Sequence, residues 1–183
     1  MKRLSILTFT LLFSQILFAQ SSTESLEKHL TSVDVGFLGA WINHERQIGE
    51  QFTLNANLGF DGGLYGGGGE FNYLFVPSIS VEPRFYYNFN KRVSKGKRTM
   101  NNSANYLTIA TTFFPKLIEI TNDRNNGREI ITRATFIPEW GIRRSIGNRF
   151  KFDFAVGYGL AIEEDGVAGQ PALSLSFGYV IVK

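Results

Sequence analysis

The chain has 183 residues and no cysteine, and its 19 Lys and Arg residues slightly outnumber its 16 Asp and Glu residues. Without cysteine, a disulfide framework, a thiolate metal site and the lipidated cysteine of a lipoprotein are excluded. Two of the cations, Lys2 and Arg3, lie in a predicted leader. The remaining charge is close to balanced, so the sequence pI of about 9.2 does not indicate a nucleic-acid-binding protein.

The amino-terminal residues have the composition of a secretory leader. A positively charged start precedes an apolar run over residues 4–18, as in a signal peptide. The alternative is an uncleaved membrane helix, but the run is shorter than the ~20 residues that cross a bilayer. The predicted divisions are a signal peptide at residues 1–19, cleaved after Ala19 or Gln20, a polar segment at 20–32 and a folded domain at 33–183.

The rest of the chain carries segments in which apolar and polar side chains alternate, the pattern of a β-strand with two unlike faces. Seven such segments are clear, and we interpret the first as two strands that fold near Gly36 and Gly39, the second of them running through Trp41 to Arg46. The other predicted strands are residues 52–61, 79–89, 103–114, 132–144, 150–162 and 173–181. Dividing the first segment gives eight strands, the even number expected of a bacterial single-chain barrel.

Residues 150–162 show the alternation most clearly. Every even position carries a bulky apolar side chain and every odd position a small or charged one. One face of this strand requires an apolar medium and the other a polar or crowded interior. We interpret the even face as the lipid-facing outside of a barrel. A secreted soluble barrel of the lipocalin kind is an alternative, with its apolar face turned inward around a ligand.

Short and long connections alternate between the predicted strands. Residues 48–51 and 146–149 form short turns, and residues 90–102 form a longer basic one. The long loops are residues 61–75, 115–131 and 163–170. Short periplasmic turns and long external loops are typical of outer-membrane barrels. The predicted fold class is therefore all-β, an antiparallel up-and-down transmembrane β-barrel of eight strands.

Residues 42–59, 82–89 and 105–107, together with the glycine- and aromatic-rich final strands, carry a family resemblance. They resemble the small outer-membrane β-barrel proteins of Gram-negative bacteria that have the general build of OmpA and OmpX. The resemblance covers residues 33–183. It implies an architecture and an outer-membrane location, and it implies no activity.

The resemblance also implies partners: outer-membrane lipid, lipopolysaccharide and the barrel-assembly machinery. Lys183 stands in the phase where members of this family commonly end in an aromatic residue used in assembly. Recognition by that machinery would then rest on Phe177, Tyr179 and Ile181. We expect a monomer without a nucleic-acid partner.

Eight charged residues fall in the inward phase of the predicted strands. They are Glu45, Glu82, Arg84, Arg133, Glu139, Arg143, Lys151 and Asp153. The interior of a small barrel is filled by side chains, and charges removed from water must pair. We therefore predict an ion-pair network that plugs the barrel. The alternative is a narrow gated pore for small solutes, with this network as its constriction.

No catalytic, metal or cofactor site is predicted. His29 and His44 are the only histidines, and His44 adjoins Glu45, which puts those two on opposite faces of a strand. Residues 163–165 and 122–127 are rich in oxygen ligands, and we interpret them as solvated loops. The predicted role is structural or surface interaction. Candidate loop residues for contacts with lipopolysaccharide phosphates are Tyr65, Tyr73, Arg124 and Arg128.

Overall fold

The computed structural model describes residues 24–66, 71–123 and 132–183. The signal peptide predicted at residues 1–19 lies outside them and stays a prediction. Parts of two predicted long loops, residues 67–70 and 124–131, lie outside them as well. None of the helices in the described residues combines the length and the hydropathy that a membrane crossing requires.

The described chain consists mainly of antiparallel β-strands. The strands are β1 (His29–Gly36), β2 (Gly39–Gln47), β3 (Phe52–Tyr65), β4 (Asn72–Phe85), β5 (Asn105–Phe114), β6 (Ile120–Thr121), β7 (Arg133–Ile146), β8 (Phe150–Glu163) and β9 (Gly166–Val182). Helix α1 (Phe89–Ser94) and the 3-10 helix η1 (Met100–Asn102) both lie between β4 and β5. The predicted all-β class is confirmed.

Eight of the strands close into a ring. They pair in the order β1, β2, β3, β4, β5, β7, β8 and β9, and β9 pairs in turn with β1. Each of these pairs is antiparallel. The short strand β6 pairs with β4 beside the ring, within the predicted loop at 115–131. The predicted eight-stranded antiparallel order is therefore present, and β6 is an addition to it.

The first predicted segment is divided into two strands, as the sequence indicates. β1 and β2 form a hairpin whose last pair joins Gly36 to Gly39. Gly39 has a φ of 153°, and a Cβ atom there would overlap the Trp41 ring. The turn between β1 and β2 therefore needs glycine at this position. β1 begins at His29, inside the segment predicted to be a polar extension, and its Ser32 is fully buried.

Polar groups lie inside the ring and apolar groups outside. On β8, Lys151 and Asp153 are buried, while Val156 and Tyr158 are exposed. Exposed apolar residues on the outer face include Val35, Ile42, Leu54, Leu58, Ile79, Ile109, Phe136, Leu160, Leu175 and Phe177. Buried polar residues on the inner face include Ser32, Asn43, Thr53, Asn55, Ser78, Ser80, Thr108 and Thr135. This arrangement is the reverse of an ordinary soluble domain.

Two prolines interrupt the hydrogen-bonded ladders without shifting them. The pairing of β4 with β5 stops between Val81 and Arg84, around Pro83, and resumes in the same register. The Thr108 hydroxyl donates to the Pro83 carbonyl at 2.9 Å. A similar gap in the pairing of β7 with β8 surrounds Pro138. Because proline has no N–H to donate, bonds are lost there while the strands continue.

The two ends of the ring differ in what they carry. One end, named here the termini end, carries residues 24–28, the turns at 48–51 and 147–149, the β4–β5 connection and Lys183. The opposite end, named the loop end, carries the β1–β2, β3–β4, β5–β7 and β8–β9 connections.

The connection between β4 and β5, residues 86–104, folds over the termini end as a cap. The apolar cluster beneath it consists of Leu26, Tyr86, Phe89, Ala104 and Tyr106. Phe89 of α1 is only 1% exposed, and its packing in this cluster holds the cap against the ring. The basic segment predicted as a long turn at 90–102 is therefore part of a packed cap.

Candidate functional site: a charge cluster inside the ring

Arg143 of β7 is the centre of a group of charged side chains next to the cap, and it is 1% exposed. Its Nε donates to Asp153 Oδ2 at 2.6 Å, and these two residues are direct register partners on β7 and β8. Its Nη1 donates to Glu45 Oε2 on β2. β2 and β7 lie on opposite walls of the ring, so Arg143 joins the two walls.

Glu45 accepts hydrogen bonds from both the wall and the cap. Its Oε1 accepts from the hydroxyls of Thr53 at 2.7 Å and Tyr86 at 2.8 Å. The same oxygen accepts from the side-chain amide of Asn102 at 3.1 Å. Tyr86 and Asn102 belong to the cap, so this buried carboxylate ties the cap to the strands.

A second arginine, Arg84 of β4, extends the group. Its Nε and Nη2 donate to Glu82 Oε2 at 2.9 and 2.5 Å. Its Nη1 lies 3.5 Å from Asp153 Oδ2, and its guanidinium carbon lies 4.5 Å from the centre of the Tyr106 ring. The Tyr106 hydroxyl donates to Asp153 Oδ1 at 2.7 Å. Asp153 is therefore shared between two arginines and a tyrosine.

Lys151 pairs with an acid that the sequence analysis did not include. Its Nζ donates to Asp34 Oδ2 on β1 and lies 3.8 Å from Asp153 Oδ2. Asp34 is 4% exposed. The alternation of Val33, Asp34 and Val35 was a signal that could have placed this carboxylate inside the ring.

Two of the eight predicted residues lie away from this group. Arg133, near the loop end, lies 3.4 Å from Glu163, and its side chain is 33% exposed. Glu139 is half-buried and forms no ion pair with the residues that the structure describes. At the rise of an extended strand, Arg133 lies about 33 Å and Glu139 about 13 Å from Arg143 along β7. They share its phase but lie at different heights in the ring.

We name the assembled group the charge cluster: Asp34, Glu45, Glu82, Arg84, Arg143, Lys151 and Asp153. The structure thus brings together six of the eight predicted residues and adds Asp34. Charges buried in this way persist when each is paired and hydrogen-bonded. Removing one member would leave its partners as uncompensated buried charges, at a cost of about 3–5 kcal/mol. The charge cluster therefore links β1, β2, β4, β7 and β8 through the interior of the ring.

Both histidines lie outside the charge cluster. His44 is exposed, with Nδ1 2.9 Å from Thr31 Oγ1, whereas Glu45 is 1% exposed on the inner face. The predicted placement of these neighbours on opposite faces is confirmed. His29 is also exposed. Within the described residues, no group of three or more His, Cys, Asp or Glu side chains is placed to hold a metal ion.

The loop residues predicted to contact lipopolysaccharide are only partly described. Tyr65 and Tyr73 lie near the loop end, and the Tyr65 hydroxyl donates to Asp123 at 3.3 Å. Arg124 and Arg128 lie outside the described residues. Most of the oxygen-rich segment at 122–127 lies outside them as well.

No protein-family model, curated protein or solved structure matches this chain. Its function is therefore inferred from the arrangement of its own residues.

Proposed function

We propose that the protein is an integral eight-stranded β-barrel of the outer membrane, with the general build of OmpA and OmpX. It is exported by the signal peptide predicted at residues 1–19, and it acts as a monomer in a structural or surface-interaction role. The observation that carries this proposal is the inverted ring, polar inside and apolar outside. A bilayer solvates such an outer face, and a closed sheet leaves no backbone edge unpaired in lipid.

The outer face of the ring supports a membrane environment. Leu58, Ile109 and Leu160 lie on three different strands and are 59%, 51% and 51% exposed. Apolar surface of this kind marks contact with a membrane or a partner. A lipocalin-like barrel would turn such side chains inward. The inner face instead holds Glu45 and Arg143, both 1% exposed, which favours the membrane barrel.

Aromatic pairs at the termini end also support the proposed membrane environment. Phe52 stacks on Phe85 with their ring centres 4.7 Å apart. Phe150 packs edge-on against Tyr179 at 5.2 Å. Phe52 and Phe150 each follow a short turn, and their partners lie near the ends of β4 and β9, the position of an aromatic girdle at the membrane interface. The termini end would then face the periplasm.

We propose that the charge cluster plugs the interior of the barrel. The competing function is a narrow gated pore. A pore would require Arg143 to release both Glu45 and Asp153 and the cap to leave its apolar cluster. The burial of Phe89 and Leu26, each 1% exposed, favours a closed termini end.

Membrane fractionation and electrophoresis test the proposal together. The full-length protein expressed in a Gram-negative host is expected to stay in the outer-membrane fraction after an alkaline wash. Before boiling, it is expected to migrate differently from the boiled sample, because a closed barrel resists detergent. A freely soluble protein with no heat-dependent shift would overturn the membrane barrel.

A further inference from the structure

A basic cleft lies between the cap and the outer face of β7. It has a volume of about 390 Å³, and no acidic side chain is among the described residues that line it. Its cations are Lys91, Arg92, Lys95, Lys97 and Arg144. These residues are separate from the charge cluster.

The cations of this cleft have no acidic partners among the described residues. None of them forms an ion pair with a residue that the structure describes. Arg92 Nη2 donates to the Arg98 carbonyl at 2.8 Å, and Arg144 Nη2 donates to the side-chain carbonyl of Asn105 at 2.6 Å. Partial burial lowers the pKa of Arg92, because removing a cation from water disfavours its charged form. The concentrated positive charge therefore lacks a counterion from residues 24–66, 71–123 and 132–183.

The packing of α1 fixes the cleft in place. Phe89 is buried, and Val93 packs against the same apolar cluster. The side-chain carbonyl of Asn88, before the helix, accepts from the Asn105 backbone N–H at 2.8 Å. Lys91 lies in α1, Lys95 is its C-cap residue, and both side chains line the cleft. A bound anion would offset the repulsion between these neighbouring cations.

The position of the cleft on the ring indicates the source of the anion. On the neighbouring strand β5, Ile109 is exposed on the apolar outer face, and the exposed Leu107 is level with Trp140, its register partner. Toward the termini end, the Trp140 indole donates to the Tyr87 hydroxyl at 2.9 Å, and Tyr87 itself lines the cleft. From the apolar face toward the termini end, aliphatic side chains are followed by the Trp140–Tyr87 pair and then by the cations. This spatial order matches the change in a membrane from hydrocarbon to interface to headgroup phosphate.

We propose that this basic cleft binds the headgroup phosphate of an anionic phospholipid in the leaflet at the termini end. The inference rests on the proposed membrane location. A membrane lipid is favoured over free phosphate because the cleft adjoins the Trp140–Tyr87 pair at the edge of the apolar face. Lysine and arginine supply the charge and the N–H donors that a phosphate takes.

Native mass spectrometry of the full-length protein, refolded in a zwitterionic detergent, tests the inference. Phosphatidylglycerol and phosphatidylcholine with the same acyl chains are added separately. The wild type is expected to retain phosphatidylglycerol in preference. Lys91→Gln/Lys95→Gln is expected to lower that retention about tenfold, since each cation near the surface contributes to anionic-lipid binding. The single variants Lys91→Gln and Lys95→Gln should each give a smaller loss in the same direction.

The matched control is Lys28→Gln/Arg46→Gln, which removes two exposed cations that do not line the cleft. It is expected to retain phosphatidylglycerol as the wild type does. Equal retention of the two lipids by the wild type, or equal losses in both double variants, would overturn the inference. So would displacement of phosphatidylglycerol by inorganic phosphate at equal concentration, because the cleft would then recognise free phosphate.

The heat-dependent mobility shift separates this inference from the proposed function. If the wild type and both double variants shift but show no lipid preference, the cleft proposal fails and the membrane barrel stands. If the wild type is soluble and does not shift, the membrane location fails first, and the lipid inference fails with it.

Discussion

Lys151 and Asp34 form an ion pair across an intervening strand, directly over Gly178. β9 lies between β8 and β1, and Gly178 is the register partner of Lys151 on one side and of Asp34 on the other. A Cβ atom on Gly178 would lie 2.9 Å from Lys151 Cε and would overlap the Asp34 carboxylate. The pair therefore depends on the missing side chain at position 178.

Gly178→Ala is expected to lower the free energy of unfolding by about 1–3 kcal/mol, because the added methyl group overpacks the ion pair. Urea unfolding of the refolded protein, followed by tryptophan fluorescence, measures the loss. Gly63→Ala is the matched control, since a Cβ atom there meets nothing within 4 Å. That change should be neutral or slightly stabilising. Similar losses in the two variants would contradict the dependence on Gly178.

Arg143→Met is expected to destabilise the protein by about 3–5 kcal/mol, because Glu45 and Asp153 lose their shared cation. The same urea titration measures this. Arg149→Met, which removes an exposed arginine near Tyr179, should change stability by less than about 0.5 kcal/mol.

Glu45→Gln in the Arg143→Met background should recover part of that loss, because a neutral amide is less costly to leave unpaired than a carboxylate. The two substitutions would then be non-additive. Strict additivity would show that Glu45 and Arg143 do not depend on one another.

Leu58→Arg tests the proposal that the outer surface of the ring faces lipid. Leu58 lies near the middle of β3 and is 59% exposed, so a charge there would be placed in the hydrocarbon region at a cost of about 2–4 kcal/mol. We expect less protein in the washed outer-membrane fraction and a lower urea midpoint. Leu117→Arg changes a 76% exposed leucine outside the strands and should have little effect. A soluble protein would tolerate both changes equally.

Single-channel recording tests the plug. The reconstituted wild type is expected to give no conductance steps, because the charge cluster and the cap close the termini end. Glu82→Ala and Arg143→Ala should also remain silent as long as Phe89 holds the cap in place. Discrete steps in the wild type would favour the gated pore, and steps confined to Arg143→Ala would make the charge cluster the barrier.

The two faces of the strands were predictable because alternation is a local pattern, but several strand ends were predicted wrongly. β9 begins at Gly166, inside the predicted loop 163–170, and β4 begins at Asn72, inside the predicted loop 61–75, and ends at Phe85, before the end of the predicted strand 79–89. Strand side chains alternate with a period of two, so Lys151 and Asp153 could be placed inside opposite Phe150 and Tyr158. The even strand number of a bacterial barrel indicated that the first segment holds two strands, and the glycines at positions 36 and 39 indicated where the chain turns.

The cap was not predictable as a packed element. Phe89 continues the apolar phase of the predicted strand 79–89, which places it on the outer face, and that prediction is wrong: β4 ends at Phe85, and Phe89 lies in α1 with its side chain buried. Its burial comes from Leu26 and Tyr106, which are distant in sequence and pack in one cluster with it in the folded ring.

The ion-pair partners of the inward charges were also decided by the tertiary structure. The alternation assigns a side chain to a face but gives no height along the ring, so Arg133 and Arg143 had the same prediction and have different partners. Height is set by the register between strands, which brings Glu45 from β2 to Arg143 on the opposite wall and Asp34 to Lys151 over β9. The sequence alone determined the two faces of the sheet, because period-two alternation is local. The closed ring decided the ion pairs and the cap, because they join residues that only strand pairing brings to the same height.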